Sequence, residues 1–346
     1  MGCSRPNRAT PSRSSAPAET LRYARLCPVT VSTPIAHATP TARLLPFLIG
    51  VGGGLLGILP WLVGGARLPL QNLWVVATMP DDMPIVLLPV SQYFAVLLFA
   101  LVLLGGVFAG IAVRILSRRR SVAVWAAALG VLAVHVVAIL ESFVVVAGGL
   151  SLTDAMSLVY LGGMLGGAVV AALLAQLAFW MTSRPSVGIA AFGVALAAVP
   201  FGQWVARWFL AFTGDAFAPA FLPELTRWIP AVVGGIALAW CGIRPAWRIV
   251  VWVVSLLTLA LLPSLFGAIQ YGLGSRILGG NLVEMASASV QIFPMLLQEA
   301  GFMSVVVALV IGVVGTVVQM FVPTRREADA EQQPAVEEPS PYASGR

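Results

Sequence analysis

The sequence predicts an all-α fold: a polytopic transmembrane helical bundle of about eight helices, with the N-terminus and the C-terminus both cytoplasmic. Three observations carry this expectation. Of 346 residues, 59% are hydrophobic and only 10% charged, where soluble domains are roughly one-quarter charged, and the mean hydropathy is +0.94. Apolar stretches repeatedly reach the roughly 20 residues that one helix needs to cross a ~30 Å hydrocarbon core, without the period-2 alternation of a membrane β-barrel. Every second apolar stretch ends on arginine, as the positive-inside rule requires of helices returning to the cytoplasm.

Residues 1–43 are rich in Ser, Thr, Pro, Ala and Arg, and carry Arg5, Arg8, Arg13, Arg22, Arg25 and Arg43 against Glu19 alone. Such a segment cannot bury enough apolar surface to offset its chain entropy and reads as a disordered basic tail. A start codon assigned too far upstream gives the same composition. A secretory signal is not expected, because the first apolar run begins only after Arg43 and outlasts an h-region of about 7 to 15 residues. The Met-Gly-Cys start does not fit myristoylation, since Pro6 stands where that motif takes Ser or Thr.

The transmembrane domain is expected over 44–322. Its first helix, 44–64, runs outward from the basic tail. The second, 90–113, returns to Arg114 and the Arg118, Arg119, Arg120 cluster. The third, 122–146, leaves toward a loop without basic residues, and the fourth, 158–181, returns to Arg184. The fifth is expected over 187–212, a short sixth over 229–243 before Arg244 and Arg248, the seventh over 249–271 and the eighth over 303–322. Residues 323–346 read as a disordered acidic tail. The long segment 272–302, apolar but broken by Asn281, Glu284, Gln291, Pro294, Gln298 and Glu299, is expected to lie as an interfacial helix on the outer face.

The outer segments hold Arg67, Arg207, Arg227 and Arg276 against Asp81, Asp82, Asp154, Asp215, Glu224, Glu284 and Glu299, a net acidic face opposite a basic one. Trp61, Trp74, Trp180, Trp204, Trp208, Trp228, Trp240 and Trp247 fall near the expected helix ends, where indoles anchor at the lipid interface. The twenty basic residues are all arginine. They sit in tails and short loops and not on one soluble face, so nucleic acid is not an expected partner.

Two internal patterns stand out. Leu59-Pro60-Trp61-Leu62-Val63-Gly64 and Leu262-Pro263-Ser264-Leu265-Phe266-Gly267 share the form LPxLxG, and each is followed by an Arg with an Asn five residues later, Arg67 with Asn72 and Arg276 with Asn281. This suggests duplicated first and last hairpins, a weak signal given how common Leu, Pro and Gly are in the chain. Gly106 and Gly110, Gly162 and Gly166, and Gly163 and Gly167 stand four apart, the small-xxx-small spacing that lets membrane helices pack closely. These glycines are the expected helix-packing residues.

The third helix carries the intramembrane polar candidates. It places His135 near mid-membrane and Glu141 nearer its outer end. Ionisable groups at depth are costly and usually face the bundle interior. His135 and Glu141 diverge by about 120° around the helix and make a poor direct pair, whereas Ser142 shares the His135 face. In the first outer loop, Asp81 and Asp82 stand between two prolines in Met79-Pro80-Asp81-Asp82-Met83-Pro84. Adjacent carboxylates there are superficially similar to the loop acid of membrane glycosyltransferases that use lipid-linked sugars, although those chains are longer and have more helices. A solvated turn is the plainer reading.

Cys3, Cys27 and Cys241 have no paired or metal-like spacing, and P-loop, HExxH and Gx-Ser-xG motifs are absent. No metal and no cofactor are expected. The functional reading is a multi-pass protein of the plasma (inner) membrane of a bacterium, a non-catalytic transporter or permease-like component or an envelope-assembly scaffold. Its expected partners are the lipid bilayer and either another membrane protein or a second copy of the chain. The alternative is a membrane-embedded transferase acting on a lipid-linked substrate at the outer face, with Asp81, Asp82 and Glu141 as catalytic candidates.

Overall fold

The computed structural model describes residues 40–214, 217–275 and 281–321. The expected tails beyond these bounds, and Arg276 of the suggested repeat, lie outside the described residues. Nine helices form among them: α1 Pro40–Val63, α2 Ala95–Ser117, α3 Val124–Gly149, α4 Ala155–Ser183, α5 Val187–Leu196, α6 Ala198–Thr213, α7 Leu222–Cys241, α8 Trp247–Gly274 and α9 Leu282–Phe321. Extended backbone among the described residues is confined to loops, with two isolated antiparallel bridges, Arg67 to Ile85 and Trp74 to Leu150.

Six helical stretches are long and apolar enough to cross a membrane, or seven if α5 and α6 form one bent span. The chain is thus a helical membrane protein. Helix α7 falls outside that set because Glu224 and Arg227 dilute its first turns. It begins at Leu222 and not at 229, so the short helix expected there gains about two turns.

The expected fifth helix is broken. Helices α5 and α6 meet at Ala197 with a bend of 51°. The cause is Pro200, which has no amide hydrogen for the carbonyl of Leu196 and whose ring crowds that carbonyl, so the straight helix ends there.

Successive helices run between two ends of the bundle. At one end, Arg114 of α2 donates to the carbonyls of Pro185 (3.1 Å) and Ser186, and its guanidinium lies 5.1 Å from the Trp240 ring of α7. We call this the arginine end. The opposite end carries the segment between α1 and α2 and is called the loop end.

Close backbone contact holds the first three helices together. Gly50 of α1 abuts Ala127 of α3, Gly53 abuts Ala109 of α2, and Gly57 abuts Leu101 and Gly105. Any side chain at Gly50, Gly53 or Gly57 would collide with a neighbouring helix backbone, so dispersion between closely packed backbones stabilises this seam. Helix α2 is enclosed further by α4, where Gly106 lies against the Ala175 carbonyl and Gly110 against Thr182 and Phe179.

The 272–302 segment departs from expectation. Helix α8 continues to Gly274, and α9 starts at Leu282 and tracks α8 in the opposite direction. Gly272 lies against Met285 and Ser289, Gly267 against Leu296, and Gly312 against Trp252. The segment is the first half of a long helix that packs along α8. Asn281 opens it: its Oδ1 accepts the amides of Val283 and Glu284, each at 3.2 Å, and so caps two of the otherwise unpaired donors. Asn72, its counterpart in the suggested repeat, instead donates to the Tyr93 hydroxyl at 2.7 Å.

Candidate functional site

The loop between α1 and α2 is built into the bundle. Met83, Val86, Leu88 and Val90 are fully buried although they lie in irregular backbone. Buried irregular backbone must find partners for its amides and carbonyls. Leu68 and Val86 donate to the carbonyls of Pro84 and Ala66, each at 2.8 Å, and the Trp61 indole donates to the Val86 carbonyl at 3.0 Å. Trp61 therefore works as an interior strut, being only 3% exposed, and not as the interface anchor its position near a helix end suggested.

Helix α3 supplies the remaining acceptors. The Glu141 carboxylate accepts the Leu87 amide at 2.9 Å through Oε2, and the same oxygen accepts the Ser142 hydroxyl at 3.0 Å. Ser142 Oγ in turn accepts the Leu88 amide at 2.9 Å. Two adjacent side chains on α3 thus hold two adjacent loop amides. A second clasp lies nearby: Gln71 donates to the Pro69 and Val90 carbonyls, each at 2.8 Å, and its Oε1 accepts the Tyr160 hydroxyl of α4 at 2.6 Å.

His135 is apart from this network. It is fully buried, its ring lies against Gly105 of α2, and neither ring nitrogen has a hydrogen-bond partner among the described residues. Asp81 and Asp82 sit in a short 3₁₀ turn, Pro80–Asp82, with both side chains exposed. Among the described residues no three His, Cys, Asp or Glu side chains come together as metal ligands would. Cys241 is buried with a free thiol, and Cys3 and Cys27 lie outside the described residues.

The glycines divide. Gly106 and Gly110 are in backbone contact with α4, whereas Gly162, Gly163, Gly166 and Gly167 face open space, with nothing within 4 Å of a Cβ placed on any of them. Among the described residues none of the four meets another helix closely, and at Gly163 and Gly167 α4 stands away from α8 and the start of α9. The gap is an apolar cavity of about 740 Å³ walled by α2, α4, α8 and the start of α9, with Gly163 and Gly167 on its α4 side and Asn72, Gln92 and Ser275 toward the loop end.

A second cavity of about 580 Å³ lies beside it and shares the walls Val96 and Phe266. Its lining is more polar and includes Gln203 and Arg207 of α6, Thr226 and Arg227 of α7 and Gln270 of α8. The Phe266 ring meets Phe99 edge-on at 5.3 Å between centroids, on the boundary between the two spaces. A third cavity of about 370 Å³ shares Tyr93, Phe94 and Arg207 with the second and adds Arg67. Among the described residues, no aspartate or glutamate lines any of the three. The Arg207 guanidinium lies 5.0 Å from the Trp61 ring and that of Arg227 5.3 Å from the Trp228 ring, so aromatic faces hold both cations in place.

Neither buried arginine, Arg114 or Arg207, was singled out from sequence as a structural centre. The available signal was an arginine inside or at the edge of an apolar helix, which should have marked an interior position. Compared with known proteins, the chain matches no family model, no curated protein and no solved structure. The fold and site define a helical membrane protein with a docked loop and adjoining apolar and cationic cavities at one end.

Proposed function

We propose that this protein is a non-catalytic, permease-like membrane protein that takes up an amphiphile laterally at its loop end. The observation that carries this reading is the apolar cavity between α2, α4 and α8, whose α4 wall is thinned by Gly163 and Gly167 and which adjoins a polar cavity. Its volume falls within the roughly 300–1,000 Å³ of small-molecule sites, and an apolar lining with a few polar groups is what such sites use.

The transferase alternative has less support. Asp81 and Asp82 are exposed in a turn, Glu141 is engaged by the Leu87 amide, and none of them lines a cavity. The arginines at the opposite end support an orientation in the plasma membrane with that end, and both termini, in the cytoplasm. In this reading α7 makes an eighth crossing, and the lipid bilayer is both solvent and source of the ligand.

The test is lipid movement. The full chain, reconstituted into phosphatidylcholine liposomes, is expected to speed exchange of a fluorescent diacyl lipid between leaflets, and Gly167→Leu is expected to slow it. Exchange no faster than in protein-free liposomes would remove the permease-like reading.

A further inference from the structure

We infer that the polar end of the amphiphile is an uncharged, hydroxyl-rich head, a glycosyl or other polyol group, seated in the second cavity and held there by main-chain carbonyls. The inference rests on the neighbouring apolar cavity taking the hydrocarbon, as proposed above, and adds the chemistry of the head.

The carbonyls come from two proline-containing helices. Pro230 lies inside α7 and Pro263 inside α8, and neither has an amide hydrogen for the carbonyl four residues earlier. Those carbonyls belong to Thr226 and Leu259, and Thr226, Pro230, Leu259 and Pro263 all line the second cavity. Helix α7 runs toward the arginine end, where Trp240 meets Arg114, and α8 runs the other way, so that Gln270 meets the start of α2. Helix carbonyls point toward the C-terminus. The Thr226 carbonyl is therefore directed into the bundle and the Leu259 carbonyl back toward the loop end, and the two acceptors converge along one cavity.

A third acceptor is a side chain. Gln270 donates through Nε2 to the carbonyls of Gln92 at 3.1 Å and Tyr93 at 2.7 Å. Because both partners accept, the amide is fixed in orientation, and Oε1 is the group it offers the cavity.

Acceptors at membrane depth need donors. A hydroxyl donates to them and accepts in turn from Gln203 and Arg227 of the same lining. A phosphodiester brings acceptors alone, and an ammonium would share the cavity with the Arg227 guanidinium, a like charge. Val96 and Phe266 line both spaces, so one molecule can set its head among the carbonyls and its chain along Gly163 and Gly167.

The test is lipid retention by the full chain in detergent micelles, read by native mass spectrometry. The probes are glucosyl diacylglycerol, diacylglycerol, phosphatidylglycerol and 1,2-diacyl-3-aminopropane with the same chains, and free glucose. Glucosyl diacylglycerol is expected to be retained about tenfold more than diacylglycerol, the equivalent of one or two net hydrogen bonds. Pro263→Ala and Pro230→Ala each restore an amide donor that occupies a freed carbonyl from within its own helix. Each is expected to lower that preference about threefold while diacylglycerol retention stays at the wild-type level. Gly163→Leu should lower retention of both lipids.

Equal retention of the two lipids by the wild-type chain overturns the head-group inference, as does stronger retention of the phosphate or amino lipid than of the glucosyl lipid. A preference that both proline variants leave unchanged, or a loss of glucosyl lipid and diacylglycerol alike in both, means that the carbonyls do not hold the head and also overturns it. Free glucose retained without lipid, and undiminished by Gly163→Leu, means a free-polyol site and overturns it too. Retention of both lipids that Gly163→Leu leaves untouched counts instead against the groove, and so against the proposed function itself.

Discussion

Glu141 of α3 accepts the amide of Leu87, 54 positions earlier in the chain, at 2.9 Å. A residue whose depth marked it as an intramembrane candidate is thus a fastener for a loop. Glu141→Ala removes the acceptor and leaves a part-buried amide unsatisfied, a loss expected to cost about 1.5–3 kcal/mol. Glu141→Gln keeps a carbonyl oxygen and should cost less. Thermal unfolding in detergent and hydrogen exchange over 84–90 report both effects; unchanged exchange at Leu87 in Glu141→Ala would refute the role.

Ser142→Ala should resemble Glu141→Ala, because it strands the Leu88 amide in a fully buried place. The expected cost is about 1–3 kcal/mol. Since Ser142 also donates to Glu141, the double substitution should cost less than the sum of the two. Additive losses in a double-mutant cycle would mean that the two fasteners act separately.

His135→Leu is expected to leave stability unchanged or to raise it. The imidazole has two buried nitrogens without partners, and an apolar side chain of similar size removes that penalty while still filling the space beside Gly105. His135→Ala should instead cost about 2–5 kcal/mol through the cavity it leaves. A large loss in His135→Leu would point to a water or ion bound at the ring.

The glycine pairs should respond in opposite ways. Gly106→Leu drives a side chain into the Ala175 carbonyl and forces α2 from α4, so little folded protein is expected after solubilisation. Gly162→Leu, facing open space, should purify and melt like the wild type. Size-exclusion profiles of the two variants decide this.

Asp82→Asn is expected to change neither melting temperature nor lipid retention, since the side chain is exposed and surface substitutions usually stay within about 0.5 kcal/mol. Loss of either property would restore the acidic turn as a functional candidate.

The helical class was legible because apolar length and arginine placement are local properties. The break at Ala197 was legible in part: Pro200 was visible, but whether a proline bends or ends a helix depends on its neighbours. The full extent of α9 was not legible because polar residues interrupt the apolar run of its first half, whereas packing along α8 continues through that half. The candidate site was the least legible. Glu141 and Ser142 stood out by their depth, yet their partners are main-chain amides, which every residue but proline carries and no motif marks. The α1 glycines at 50, 53 and 57 did carry a readable signal, a three-to-four-residue spacing like that noted elsewhere in the chain.

The docked loop has a consequence for biogenesis. Its amides at Leu87 and Leu88 are received by Glu141 and Ser142 and its Val75 amide by the Gly149 carbonyl, while its Gln71 Oε1 accepts the Tyr160 hydroxyl. All of these partners follow the loop in the chain and are synthesised after it. The α1–α2 hairpin is therefore not a finished unit when it inserts. Its connecting segment has no seat until α3 is made, and the second clasp closes only with α4, so the smallest piece of this chain that holds every one of these partners is its first four helices.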